Sequence, residues 1–178
     1  LMYWQVYLHK TTLAADSMLL NILKRIIEFP LSLTNVAVSD HLKYFLLKQY
    51  KTDKLGTSDI AHFVALDDHD IMSLIKALTQ NSDPILSYLS QSILSRKLFK
   101  IQMSKAQVGE DKVREIEENL IKNFPFLNNK HDAQYLMGQG VVRNEAYSDE
   151  GQSIDILMKD GRLLDITKAS DNYSISAL

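Results

Sequence analysis

The chain has no cysteine. That excludes disulfides, thiolate nucleophiles and cysteine-ligated zinc or iron–sulfur centres, and it fits a reducing cytoplasm. Glycine and proline are scarce, at six and three in 178 residues, while 46% of the chain is hydrophobic and 24% charged. Such a balance belongs to an ordinary folded protein, not a disordered one. Neither sign of charge dominates: the formal net charge is −2, which argues against wholesale coating of nucleic acid, a task that normally demands a clearly basic face. No apolar run suits a bilayer either. The most apolar window, Met18 to Leu33, carries Lys24, Arg25 and Glu28 at its middle. Two catalytic signatures are also lacking. Gly138-Gln139-Gly140 is a fragment of the dinucleotide-binding pattern with no helical run behind it, and no Gly-x-Ser-x-Gly turn occurs.

What is present is mainly helical periodicity. Leu19, Leu20, Ile22, Leu23, Ile26 and Ile27 recur at helical spacing in one long helix expected from Met2 to Phe29, which Pro30 stops. A second helix is expected from about Ser39 to Tyr50, with Ser39 and Asp40 as candidate caps and Leu42, Phe45 and Leu46 inward. Gly56-Thr57-Ser58 reads as a turn. The acids Asp67, Asp68 and Asp70 precede Ile71, Leu74, Ile75 and Leu78, where a helix N-terminus favours negative charge. Asp83 caps a further helix, with Pro84 in its first turn, that runs to about Ser95.

Beyond residue 95 the pattern changes. Leu98 to Met103 alternates as a strand should, Glu110 to Phe124 is an amphipathic helix ended by Pro125, and two or three strands are expected to follow. In Ile154 to Ile166 a three-residue turn ending in a left-handed Gly161 would pair Ile156 with Leu164, and is preferred over a two-residue loop that pairs it with Asp165. The expected fold class is α+β: a mainly helical lobe over residues 1–95, then a small appendage over residues 96–178 built as strand, helix, strand and hairpin. Its first crossover should be right-handed if the strands are parallel. The final Ile175-Ser176-Ala177-Leu178 reads as a strand cut short, and both ends of the chain look truncated.

Candidate chemistry is sparse. His69-Asp70 and His131-Asp132 pair imidazole with carboxylate, yet a metal centre needs three or four convergent ligands, and neighbouring side chains on a helix point about 100° apart. Capping is the preferred role for Asp67, Asp68 and Asp70, and His131-Asp132 is expected in a polar loop. On the first helix Gln5, His9, Thr12 and Asp16 form one polar stripe, and Tyr3, Tyr7, Lys10 and Ala14 another. Tyr7 and His9 stand about 200° apart around the axis and would serve different sites or none. Core packing for the aromatics and hydration for His9-Lys10 is the simpler reading of the pattern. Arg96 and Lys100 would share one strand face, two cations suited to phosphate oxygens. Equally, they could complement the dipole of a preceding helix end.

Three segments nevertheless resemble, in order and spacing, the C-terminal half of the HD-domain deoxynucleoside triphosphate triphosphohydrolases. They are Tyr7-Leu8-His9-Lys10-Thr11, Ala65 to Ile71, and Ser95 to Lys100. The hairpin and the strand-helix unit before it are similar to that family's C-terminal appendage. The resemblance implies a metal-dependent enzyme that splits a deoxynucleoside triphosphate into deoxynucleoside and triphosphate. Its divalent metal would be held by a His, His-Asp, Asp series in an upstream core that this chain lacks, so catalytic and metal-binding residues are expected to be none here. Tyr7 matches a substrate-pocket tyrosine, and His9, Lys10, Arg96 and Lys100 match residues beside a regulatory nucleotide's phosphates. Lys97 departs from the uncharged polar residue seen in the best-studied member of that family. The implied partners are the chain's own upstream HD core, nucleotide, and further copies in a homo-oligomer, in the cytoplasm, with neither membrane nor nucleic acid. The competing reading is a non-catalytic α+β interaction module.

Overall fold

The computed structural model describes residues 9–48, 56–104, 108–140, 155–158 and 160–165. It is α+β, as expected: seven α-helices and one two-stranded antiparallel sheet among the described residues. The chain forms two compact units, one of Lys10–Gly138 and one that joins Leu1–His9 to Gln139–Leu178.

The larger unit is built on α1 (Lys10–Glu28). Its buried residues Ala14, Met18, Asn21, Ile22 and Ile26 recur every three or four positions and so form one face. The helix ends at Glu28, one residue before the expected stop, because Pro30 opens a short 3-10 turn over Pro30–Leu33. The part of the expected helix before His9, Tyr7 included, lies outside the described residues.

Local capping chemistry explains where most of the other helices start. Ser39 accepts the Leu42 N–H at the head of α2 (Asp40–Leu47). At α4 (Asp68–Leu78) Asp67 accepts from the N–H groups of His69 and Asp70, while the Asp70 carboxylate takes the Asp67 N–H, a reciprocal box. Asp83 accepts from Ile85 and Leu86 at α5 (Pro84–Leu94). These acids therefore cap helices, as the sequence indicates.

A helix stands where a turn was expected. The Gly56-Thr57-Ser58 turn is the start of α3 (Thr57–Val64), where Asp59 reaches back 2.7 Å to the Gly56 N–H.

The strand expected at Leu98 to Met103 does not form. Instead α5 closes in a Schellman turn: the Lys97 N–H reaches the Ser92 carbonyl at 2.8 Å, the Arg96 N–H reaches Ile93 at 3.1 Å, and Arg96 sits left-handed at φ 57°. Beyond it the adjacent residues Leu98 and Phe99 both pack on the helical core, which strand alternation forbids. Arg96 and Lys100 consequently do not share a strand face.

Nor does the core stop at residue 95, the expected boundary of the helical lobe. Leu127, Ala133, Tyr135 and Leu136 join Met18, Ile22, Ile26, Leu74, Leu78, Ile85, Leu86 and Leu89 in one cluster. Tyr88 of α5 also meets Phe124 and Phe126 with ring centroids 5.1 and 5.5 Å away. These rings anchor the end of α6 (Glu110–Asn123), which buries no side chain completely and leaves Ile116 exposed. The expected polar loop around His131-Asp132 is a short helix, α7 (Lys130–Gln134), because the Asn129 side chain accepts the Asp132 N–H.

The last turn of the unit then lies along α1. Asn21 donates to the carbonyls of Tyr135 and Met137, both at 2.9 Å, and a Cβ on Gly138 would stand 2.5 Å from the Ser17 hydroxyl. A larger residue there would have to turn the Ser17 hydroxyl aside.

In the smaller unit β1 (Asp155–Leu157) pairs antiparallel with β2 (Leu163–Asp165), Ile156 opposite Leu164. That is the preferred register, and Gly161 is left-handed at φ 82° as the three-residue turn requires. The expected strand at 175–178 lies outside the described residues, and no parallel crossover is present among those described.

Candidate functional site

The four expected nucleotide-binding cations and imidazoles stand in different settings. Lys10 is the first residue of α1 and exposed, and His9 precedes it, exposed, in the smaller unit. Arg96 is presented by the Schellman turn and Lys100 by the irregular segment after it, both exposed and both in the larger unit. A left-handed arginine is unusual, since glycine or asparagine is favoured where Cβ crowds the next carbonyl. The turn aims Arg96 outward at a cost in backbone energy.

Two charged clusters escaped the sequence reading. In the first, Arg25 of α1 sends Nε to Asp83 Oδ2 at 2.8 Å and Nη1 to Asp132 Oδ1 at 3.0 Å. Its guanidinium carbon lies 4.1 Å from the Phe29 ring centre and 4.9 Å from that of Tyr135. Burial works against its charge, but Asp83 and then Asp132, by hydrogen bond and by charge, lift its basicity above the ordinary arginine value. Around this pin Glu28 accepts from the Tyr135 hydroxyl and stands 2.6 Å from His131 Nε2. The Tyr135 hydroxyl, with a smaller part from His131, holds the Glu28 carboxyl below its usual range, while burial and then Glu28 push Tyr135 up to about 12. The signal in the sequence was Arg25 itself, a cation between Ile22 and Ile26 on the apolar face. Its chemistry is structural, tying α1 to the cap of α5 and the first turn of α7.

The second cluster joins α2 to α3. Asp59, buried, accepts from Tyr44 at 2.8 Å, from Lys48, and from the Gly56 N–H, and these hold its carboxyl down at about 2, Lys48 contributing most. Hydrogen bonding to Asp59 and Tyr44 in turn raises Lys48. His62 lies flat on Tyr44, centroids 3.9 Å apart and planes 6° off parallel, and its Nδ1 meets His41 Nδ1 at 3.1 Å.

Among the described residues no three or more His, Asp or Glu side chains gather as the His, His-Asp, Asp centre of an HD-type enzyme would require. Asp70 is committed to its cap, His131 to Glu28 and Asp132 to Arg25 and Asn128. These residues do not fit the divalent metal of an HD-type centre.

A crystal structure of a phosphohydrolase from Bacteroides thetaiotaomicron VPI-5482 superposes on the chain with a TM-score of 0.75 and 32% identity over 98% of this chain. Over its length the chain shares the fold of the matching part of that phosphohydrolase. The chain spans 43% of the length of that relative, so it corresponds to less than half of it. No protein-family model and no curated protein matches the chain. No described helix is long and apolar enough to cross a membrane.

Proposed function

We propose that this chain is the C-terminal, substrate-rim and regulatory portion of a metal-dependent HD-family phosphohydrolase that cleaves deoxynucleoside triphosphates to deoxynucleoside and triphosphate, acting in the cytoplasm as a homo-oligomer. The observation that carries the reading is the match, nearly end to end, to under half of a phosphohydrolase. The succession of Tyr7 to Thr11, Ala65 to Ile71 and Ser95 to Lys100 supplies the finer substrate class by resemblance.

On this reading a divalent ion in the upstream core would polarise the reacting phosphoryl group, and the residues of this chain bind and position. Tyr7 borders the substrate. Lys10, Arg96 and Lys100 offer cationic hydrogen bonds to the phosphates of a regulatory nucleotide, and the resemblance gives His9 to the same ligand. The exposure of Lys10, Arg96 and Lys100 fits a role toward a ligand and not toward the core.

The test uses the protein with its upstream region. Arg96→Ala and Lys100→Ala should weaken nucleotide-driven oligomerisation, and the chain alone should show no triphosphohydrolase turnover with any divalent metal. Turnover by the pure 178-residue chain, or an upstream sequence without the His, His-Asp, Asp series, would end the assignment.

One observation favours a second reading, a non-catalytic interaction module. Ile60, Phe63 and Val64 of α3 are 52%, 67% and 73% exposed, an apolar face of the kind that marks protein contacts. In that case neither nucleotide nor the Arg96 and Lys100 changes should alter assembly.

A further inference from the structure

We propose that His41 and His62 form a two-imidazole seat for an exchangeable late first-row divalent cation, Cu(II), Ni(II) or Zn(II), that clamps α2 to α3. Two imidazole nitrogens bound to one such ion at about 2.0–2.1 Å stand roughly 2.9–3.4 Å apart, for ligand angles between square and tetrahedral. The two Nδ1 atoms here are 3.1 Å apart. Ring centroids 5.1 Å apart with planes crossing at 60° mean that the nitrogens, and not the ring faces, meet.

Without an ion and between neutral rings this contact is one hydrogen bond, with the rings in opposite tautomers. Binding asks only that the donor ring carry its proton on Nε2 in place of Nδ1. No net proton is then lost, and both Nδ1 lone pairs point to the ion.

One of the two rings is also held in place by its neighbours. His62 rests on Tyr44, whose hydroxyl is fixed by Asp59 and Lys48. The Asp70 carboxylate, at the head of α4, lies in the neighbourhood of His41 and supplies negative charge for a cation. Both rings are half-buried, so an ion can reach them from solvent. With two protein ligands the remaining positions fall to water, which makes the ion exchangeable and sets the order of affinity by imidazole preference, Cu(II) above Ni(II) and Zn(II).

The experiment titrates the intact chain with Cu(II), Ni(II) or Zn(II) salts, reading affinity by calorimetry and site by broadening of histidine ring resonances at substoichiometric Cu(II). One site should be tightest and follow the order above. His41→Gln and His62→Gln should each weaken it about 10-fold or more, by analogy with the loss of metal-site partners, and His69→Gln should leave it unchanged. The resonances of His41 and His62 should broaden before those of His9, His69 and His131. Tightest binding that survives both substitutions, or broadening that begins at another histidine, overturns the proposal. If either variant fails to fold, the order of broadening in the unaltered chain decides alone.

Discussion

Arg25→Ala would leave two carboxylates facing the space where one guanidinium had joined them. The side chains of Arg25, Asp83 and Asp132 are only 12%, 13% and 9% exposed, so water screens the survivors poorly. Removing one member of a buried ion pair costs about 3–5 kcal/mol, mostly because the partner's charge is stranded. Contact with the Phe29 and Tyr135 rings, on the order of 0.5–2 kcal/mol, is lost as well. Each acid keeps other donors, however: Asp83 holds the N–H groups of Ile85 and Leu86, and Asp132 holds Asn128. The lower part of the range therefore applies, about 3–4 kcal/mol, equivalent to a fall in Tm of roughly 6–16 °C for a chain of this size.

Urea unfolding followed by helical circular dichroism measures the loss. Arg25→Lys should recover less than half of it, because a single ammonium cannot reproduce a planar fork that reaches two helices at once. The combined change Arg25→Met, Asp83→Asn and Asp132→Asn should lie closer to the parent than Arg25→Ala does, since no charge is left unpaired and asparagine still caps. A loss below about 1 kcal/mol for Arg25→Ala, with an unchanged denaturant slope, would refute the account of a buried pin.

The second charged cluster gives a pH dependence with a definite sign. Because Asp59 is held down at about 2 in the folded chain, its contribution is complete above the ordinary aspartate range and fades as pH falls toward 2. Acid unfolding of Asp59→Asn should therefore lack that component over this window, and coincident acid profiles for the two proteins would contradict it. At the alkaline end Tyr135, pushed up to about 12, should be a late tyrosine in an absorbance titration. Its contribution to stability is present below the ordinary tyrosine range near 10 and lost as pH rises toward 12. Tyr135→Phe should remove that late step. Arg96→Gly relieves the left-handed strain and should stabilise the chain by about 0.5–1 kcal/mol in thermal unfolding. On the proposed function it should also weaken nucleotide-driven oligomerisation, and a variant that loses stability would mean that the Arg96 side chain carries packing that the turn geometry does not reveal.

The legible parts of the fold were those written over short stretches of chain. Asp67 and Asp83 announce helix starts within three residues, and the hairpin register follows from period-two alternation and one glycine. Elsewhere the signals were absent or disguised. Gly56 carries no capping side chain, so α3 looked like a turn. At Arg96 the left-handed residue that closes α5 is not the glycine that normally marks it, so the alternation after it read as a strand. Arg25, Asp83 and Asp132 are far apart in sequence, and no local pattern joins them. Among the expected site residues Tyr7 lies outside the described region. The roles proposed for His9, Lys10, Arg96 and Lys100 rest on resemblance alone, because exposed cations carry no periodicity that separates a ligand site from a hydrated surface.

The reach of Arg25 also sets an order in time. Its two carboxylates lie 58 and 107 positions further along the chain. Closing the longer loop costs about 0.5 kcal/mol more than the shorter one, little against the roughly 1.5–3 kcal/mol of a charged hydrogen bond. At equilibrium, distance is therefore no obstacle. On the ribosome it is: α1 can pair with the cap of α5 long before Asp132 is synthesised, and until then Met18, Ile22 and Ile26 wait for the apolar residues that α7 brings. A nascent chain of this protein is thus half latched while the 49 residues from Asp83 to Asp132 are added (107 − 58), with its apolar seam open to chaperones for just that interval.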